Sequence, residues 1–193
     1  MRRWAAREQL GLTEVAEWMD TILDALAYAH DAGLVHRDLK PANIMVTGGV
    51  PPVRLLDFGV AKLLDGGDTD SATTMGRIIG TPSYLSPEQV SHGRVTAQSD
   101  LFALGSLMFE LVTGRKLWIR DAEDRPVDVF GIGAARKDLA RNGPASVCRR
   151  LMFEPRPRLR DYRPDAPEAL EALCLSMLDP VAAKRPTSAL DVR

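Results

Sequence analysis

Cysteine is scarce in this sequence, with only Cys148 and Cys174. One disulfide is arithmetically available, but two cysteines do not make a framework. They read as free thiols in a reducing compartment. A charge of one sign is also lacking. The 25 Lys and Arg face 26 Asp and Glu, a formal balance of -1. Such a chain has no broad attraction to nucleic acid or an anionic membrane, and no nucleic-acid partner is expected. No apolar run reaches the roughly 18 residues of a spanning helix, so no membrane segment is expected in this chain. The opening MRRWAAREQLGL carries Glu8 and has no apolar stretch of the signal-peptide kind. Cytoplasmic residence is the expectation. No internal repeat is apparent.

The chain has 193 residues, 45% of them hydrophobic, enough for one domain with a real core. Residues 13–33 read as a helix, with Thr13 as N-cap and Gly33 as its stop. Val15, Met19, Ile22, Leu23 and Leu26 draw one apolar stripe along it. Two short strands follow, Ile44-Met45-Val46 and Val53 to Leu56, around the turn Gly48-Gly49. Residues 64–80 have no period and read as a long loop, a feature that compact domains rarely carry without a use. Residues 98–113 are nearly apolar all round and predict a central helix closed by Gly114. The stretch 115–165 is expected to be irregular, with helices near 134–141 and 145–152. Residues 167–178 predict a further helix, with Leu170, Leu173, Cys174, Met177 and Leu178 inward. Pro186 suits the start of a last short helix.

Three groups of polar residues carry chemistry. In HRDLKPAN, Asp38 and Asn43 lie five apart, and Pro41 forbids a continuous helix between them. A loop can turn both toward one site, where an Asp accepts a proton and an Asn carbonyl binds a hard cation. Lys40 can neutralise a phosphoryl oxygen. Asp57-Phe58-Gly59 stands at a strand end, where a carboxylate can coordinate Mg²⁺. Glu88 and Arg185 carry opposite charges in otherwise apolar surroundings, which suits burial as a pair. Taken singly, each residue of the first group reads more readily as part of a surface loop, and Asp57-Phe58-Gly59 as a strand-end turn.

The order HRDLKPANIM, LLDFGVAK, GTPSYLSPEQ, SDLFALGSLMFELVTG and then Arg185 resembles the protein kinase family. It is most similar to bacterial serine/threonine kinases of the eukaryotic type. The resemblance implies a mainly α fold, the kinase large lobe, with a small β-hairpin carrying the catalytic and metal-binding loops. It implies ATP and Mg²⁺ as cofactors and a protein substrate. Asp38 would be the catalytic base, with Lys40 assisting transfer and Thr81 lining the site beside them. Lys40, Asn43 and Asp57 would hold the cofactors, Asn43 and Asp57 the metal. Gly59 would let its segment switch, and His36 would pack against that segment. Asp100 would brace the catalytic loop, and Glu88 would pair with Arg185. Arg37 would bind a phosphate on the loop between Asp57 and Glu88. Thr73 and Thr74 are the first candidates for that phosphate, with Ser71 and Thr69 behind them.

The departures are as informative. No GxGxxG occurs before residue 36, and residues 1–12 cannot build the small ATP-clamping lobe. Residues 1–193 are therefore expected to form a partial kinase domain, the C-terminal lobe only. Alone, such a chain is expected to have little activity. The alternative is a non-catalytic lobe that binds a partner, another kinase or a regulatory protein, through the apolar seam left open. Arg115-Lys116-Leu117-Trp118 also departs from the family pattern after Gly114, and Trp118 is expected to plug the core.

Overall fold

The computed structural model describes residues 10–58, 82–91, 93–128 and 138–193, with the side chain of Leu139 set aside. Helix α1 spans Leu12–Asp31. Its N-cap is Gly11, without a side-chain cap, and Thr13 lies inside the helix. The C-terminus is a Schellman motif: Gly33 N donates to His30 O (2.9 Å) and Leu34 N to Ala29 O (2.8 Å). Gly33 adopts φ 74°, which a side chain would oppose. The expected stripe is buried, and Trp18 and Ala29 extend it.

Strands β1 (Ile44–Val46) and β2 (Val53–Leu55) pair antiparallel, with Ile44 opposite Leu55 and Val46 opposite Val53. Helix α2 is the short Pro87–Val90. Helix α3, Ala97–Thr113, is the hub of the fold. Every residue from Ser99 to Thr113 is buried. Gly114 ends it at φ 68° and donates to Glu110 O at 2.8 Å. Each large apolar side chain buried there contributes about 1.5–3 kcal/mol relative to exposure.

The stretch after Gly114 differs from the expected irregular segment. It forms a second antiparallel pair, β3 (Arg115–Arg120) with β4 (Pro126–Asp128). Leu117, Trp118 and Ile119 are buried in succession, so the strand lacks the alternation that identifies one. Trp118 is fully buried and stacks on Phe102 at 6.2 Å. Helices α4 (Leu139–Asn142) and α5 (Pro144–Phe153) follow. The first part of the helix expected near 134–141 lies outside the described residues.

Helix α6, Glu168–Met177, packs across α3. The contact is close at Gly105, where an added Cβ would stand 3.0 Å from both Met177 Cβ and Leu178 Cγ. Cys174, Met177 and Leu178 point inward as expected, while Leu170 and Leu173 are only partly buried. The short helix expected at the chain end is a 3₁₀ turn, Leu190–Val192. Both cysteines are buried free thiols. Among the described residues, no helix is long and apolar enough to cross a membrane.

Candidate active site

The loop from His36 to Asn43 is built around one buried carboxylate. Asp100, 1% exposed near the start of α3, accepts from His36 N (2.7 Å) and Arg37 N (2.8 Å). Its Oδ2 also meets His30 Nε2, on α1, at 2.9 Å. Backbone N–H groups that would otherwise be orphaned in the interior thus have an anionic acceptor. Arg37 sits at φ 66°, a left-handed backbone that a long side chain rarely adopts. Such a conformation persists where its surroundings over-determine it.

Beyond this anchor the chain delivers Asp38. Lys40 Nζ donates to Asp38 Oδ2 at 2.6 Å. Asn43 Nδ2 donates to Asp38 O at 2.8 Å and to its Oδ2 at 3.2 Å. The two acceptors fix which end of the Asn43 amide is nitrogen. Its carbonyl oxygen remains for another partner. Pro41–Asn43 forms a single 3₁₀ turn, which closes the loop within hydrogen-bond reach of Asp38.

Asp57 arrives from the other strand. Leu56 N donates to Asn43 O at 2.8 Å, one step beyond the β1–β2 register. Asp57 therefore follows directly on the residue paired with Asn43. It is exposed, at φ 52°, a second left-handed residue in the same site. His36 ties the two strands of the site together. Its Nε2 lies 3.1 Å from Leu56 O, and its ring packs on Phe58 at 4.7 Å.

Glu88 and Arg185 meet as the sequence suggested. Arg185 NH1 and NH2 donate to Glu88 Oε1 and Oε2, both at 2.8 Å. The guanidinium also donates to Asp179 O (2.7 Å) and Gln98 O (2.8 Å), and stacks 4.9 Å from the centre of Phe102. Burial alone would push the Glu88 carboxyl up. The hydrogen bonds from Arg185 and Ser99, with the Arg185 charge, outweigh it and hold the group at about 2.

Gly59, Thr81, Thr73, Thr74, Ser71 and Thr69 lie outside the described residues. Three contributors escaped the sequence reading: His30, Ser99 and Gln89. Ser99 Oγ donates to Glu88 Oε1 at 2.6 Å, and Gln89 Nε2 to Arg37 O at 2.8 Å. His30 and Gln89 carried no signal. Ser99 lies inside the expected 98–113 helix, with nothing in its pattern to mark this contact.

Among the described residues, no three His, Cys, Asp or Glu side chains cluster as a metal site. The donor set here is of another kind, one carboxylate and one amide oxygen. An amide carbonyl from Asn43 and an exposed carboxylate from Asp57 are ligand types that suit a hard cation taking its remaining ligands from phosphate and water.

The family model described as "Protein kinase domain" matches residues 2–192. The serine/threonine-protein kinase pkn3 of Myxococcus xanthus is 38% identical over 194 residues, covering 97% of this chain and 31% of that protein. A probable serine/threonine-protein kinase PknB of Corynebacterium glutamicum is 45% identical over 104 residues, covering 53% of this chain and 16% of its own length. A crystal structure of a Mycobacterium tuberculosis PknI kinase domain mutant matches with TM-score 0.62 at 26% identity. That match takes in 96% of this chain and 54% of the solved one. The chain thus spans about a third of pkn3 and about half of the solved kinase domain.

Proposed function

This chain belongs to the protein kinase family, among the bacterial serine/threonine kinases of the eukaryotic type, and we propose that it supplies the catalytic and substrate-anchoring lobe of a protein serine/threonine kinase. The reaction would move the γ-phosphate of ATP to a protein Ser or Thr hydroxyl. One observation carries the reading: the Asp38 carboxylate is gripped by Lys40 at 2.6 Å and Asn43 at 3.2 Å, in a loop clamped by Asp100.

In this reading Asp38 accepts the proton of the substrate hydroxyl as it attacks phosphorus. Lys40, already beside that carboxylate, meets the charge on the transferred group. Asn43 and Asp57 hold Mg²⁺, which neutralises phosphate oxygens when bound. Thr81, outside the described residues, would act near Asp38 and Lys40 as the resemblance implies. Arg37 receives a phosphate on Thr73 or Thr74. Its Nε is buried without a hydrogen-bond partner among the described residues, which is the kind of donor such a group would satisfy. Gly59 lets the Asp57 segment turn.

A polypeptide of residues 1–193 by itself is proposed to be a partial domain with little transfer activity, because phosphate positioning does most of the work in this chemistry. Cytoplasmic residence is part of the same proposal. The test is phosphotransfer to Ser/Thr proteins by the protein purified from its native source, with its intact mass measured. Asp38→Asn should reduce transfer at least about a hundredfold. Transfer that survives this change sinks the assignment of Asp38.

A second reading has its own observation. An apolar groove of about 670 Å³ lies between α1 and β2, lined by Ile22, Ala25, Tyr28, Leu34, Leu55 and Phe58. Tyr28 is 82% exposed beside it. In that reading the lobe docks a kinase or regulatory protein on this face. Size-exclusion of the purified chain separates the two. A monodisperse monomer that captures no added kinase partner removes the second reading.

A further inference from the structure

Arg37 is held from both ends of its residue. Its N–H is fixed by Asp100 Oδ1 at 2.8 Å, and its C=O accepts from Gln89 Nε2, also at 2.8 Å. Gln89 belongs to α2, in the segment that carries Glu88. Its other amide atom, Oε1, accepts from Ser86 N at 2.9 Å and closes the capping box of that helix. Neither end of the Gln89 side chain is therefore free to turn.

These bonds form a closed ring. Arg37 is bonded to Asp100, whose chain neighbour Ser99 is bonded to Glu88, whose chain neighbour Gln89 is bonded back to Arg37. Glu88 is in turn pinned by the buried Arg185. Three segments distant in sequence thus share one hydrogen-bonded circuit, and its least ordinary backbone is Arg37, at φ 66°. The next residue is Asp38. Rotating the Arg37–Asp38 peptide swings the Asp38 carboxylate, and the carbonyl of that peptide is what Gln89 holds.

We propose that Gln89 is a positioning residue that transmits the placement of the α2 segment to Asp38 by fixing the Arg37 carbonyl. The significance of Asp38 here rests on the reading of it as the base. The physical link itself does not. When the α2 segment is seated on Arg185, the Gln89 amide locks the strained peptide. When it is displaced, Arg37 O loses its donor and the left-handed residue loses one of its two constraints.

Hydrogen exchange of individual amides in the full chain tests the link without nucleotide or activity. Gln89→Glu keeps an acceptor for Ser86 N–H but sets a carboxylate against the Arg37 carbonyl. Gln89→Met keeps the length and loses both bonds. In both variants the His36 and Arg37 amides should exchange about tenfold faster, with amides in the middle of α3 unchanged. Ser86→Ala removes the Ser86 Oγ contacts with Gln89 N (3.4 Å) and Oε1 (3.2 Å) but keeps the bonds from Ser86 N to Gln89 Oε1 and from Gln89 Nε2 to Arg37 O, and should leave the His36 and Arg37 amides as they are. Unchanged exchange at His36 and Arg37 in both Gln89 variants overturns the proposal. So does acceleration shared equally by α3, which would mean loss of the whole fold rather than of this link. Failure of the Asp38→Asn assay would remove the reading of Asp38 as the base and leave this exchange result standing.

Discussion

Two carboxylate–cation pairs in this protein sit in opposite surroundings. The side chains of Arg185 and Glu88 are 0% and 13% exposed, and the two residues lie far apart in sequence. Those of Lys40 and Asp38 are 39% and 36% exposed and nearly adjacent in the chain. The first pair is bidentate, with every described guanidinium nitrogen of Arg185 also or instead bonded to carbonyls or Glu88. The second has a single short contact, on the same Oδ2 that Asn43 Nδ2 meets, and leaves Oδ1 open among the described residues. A buried pair fixes where segments lie and is costly to break from one side. An exposed pair adds little stability and remains open to a ligand. The buried pair holds segments of the lobe together, and the exposed one leaves a carboxylate accessible, as the proposed role of Asp38 requires.

The sharpest way to break this contrast is Arg185→Met. It leaves Glu88 facing a buried, unpaired position and should lower stability by about 3–5 kcal/mol in urea unfolding. A loss below about 1 kcal/mol would put the pair in the same class as Lys40–Asp38. Acid provides a second test of the same pair. The Glu88 carboxyl is held at about 2 in the fold against an ordinary 4.5. Its contribution is therefore present above pH 4.5 and is lost as pH falls from there through about 2. The Glu88→Gln variant should show a flatter stability profile across that window, and an unchanged profile would contradict the assignment.

Gly105→Ala extends the comparison to the packing behind the buried pair. The new methyl would meet Met177 and Leu178 at 3.0 Å. Overpacking of this kind costs about 1–3 kcal/mol, read as a fall in the urea midpoint. At the other extreme, Asp38→Asn should change unfolding stability by less than about 1 kcal/mol while abolishing phosphotransfer. A large loss of stability there would make Asp38 a structural residue and erase the distinction.

Much of this was legible because it is local or patterned. The HRDLKPAN stretch, the strands on either side of Gly48-Gly49 and the stripe of α1 follow from spacing, and the pairing of Glu88 with Arg185 follows from the resemblance. The β3–β4 hairpin was not legible. Its strand RKLWIR opens and closes on cations, and its middle is buried without alternation. What makes it a strand is tertiary: Arg120 N and O bond the Asn142 side chain, and Trp118 fills space against Phe102. Gln89 and His30 were invisible for a related reason. A glutamine beside a glutamate or a histidine at a helix end has no distinctive period. Their meaning lies in the carbonyl and carboxylate that the fold brings to them.

The proposed function requires Asn43 and Asp57 to share one cation-and-phosphate site with Asp38. The most direct measurement is paramagnetic broadening of backbone amides by Mn²⁺–ATP added to the chain. Signals from residues 38–43 and 56–58 should broaden together, and both effects should disappear in Asp57→Ala. Broadening confined to one of these two segments, or insensitive to Asp57, would contradict a common site.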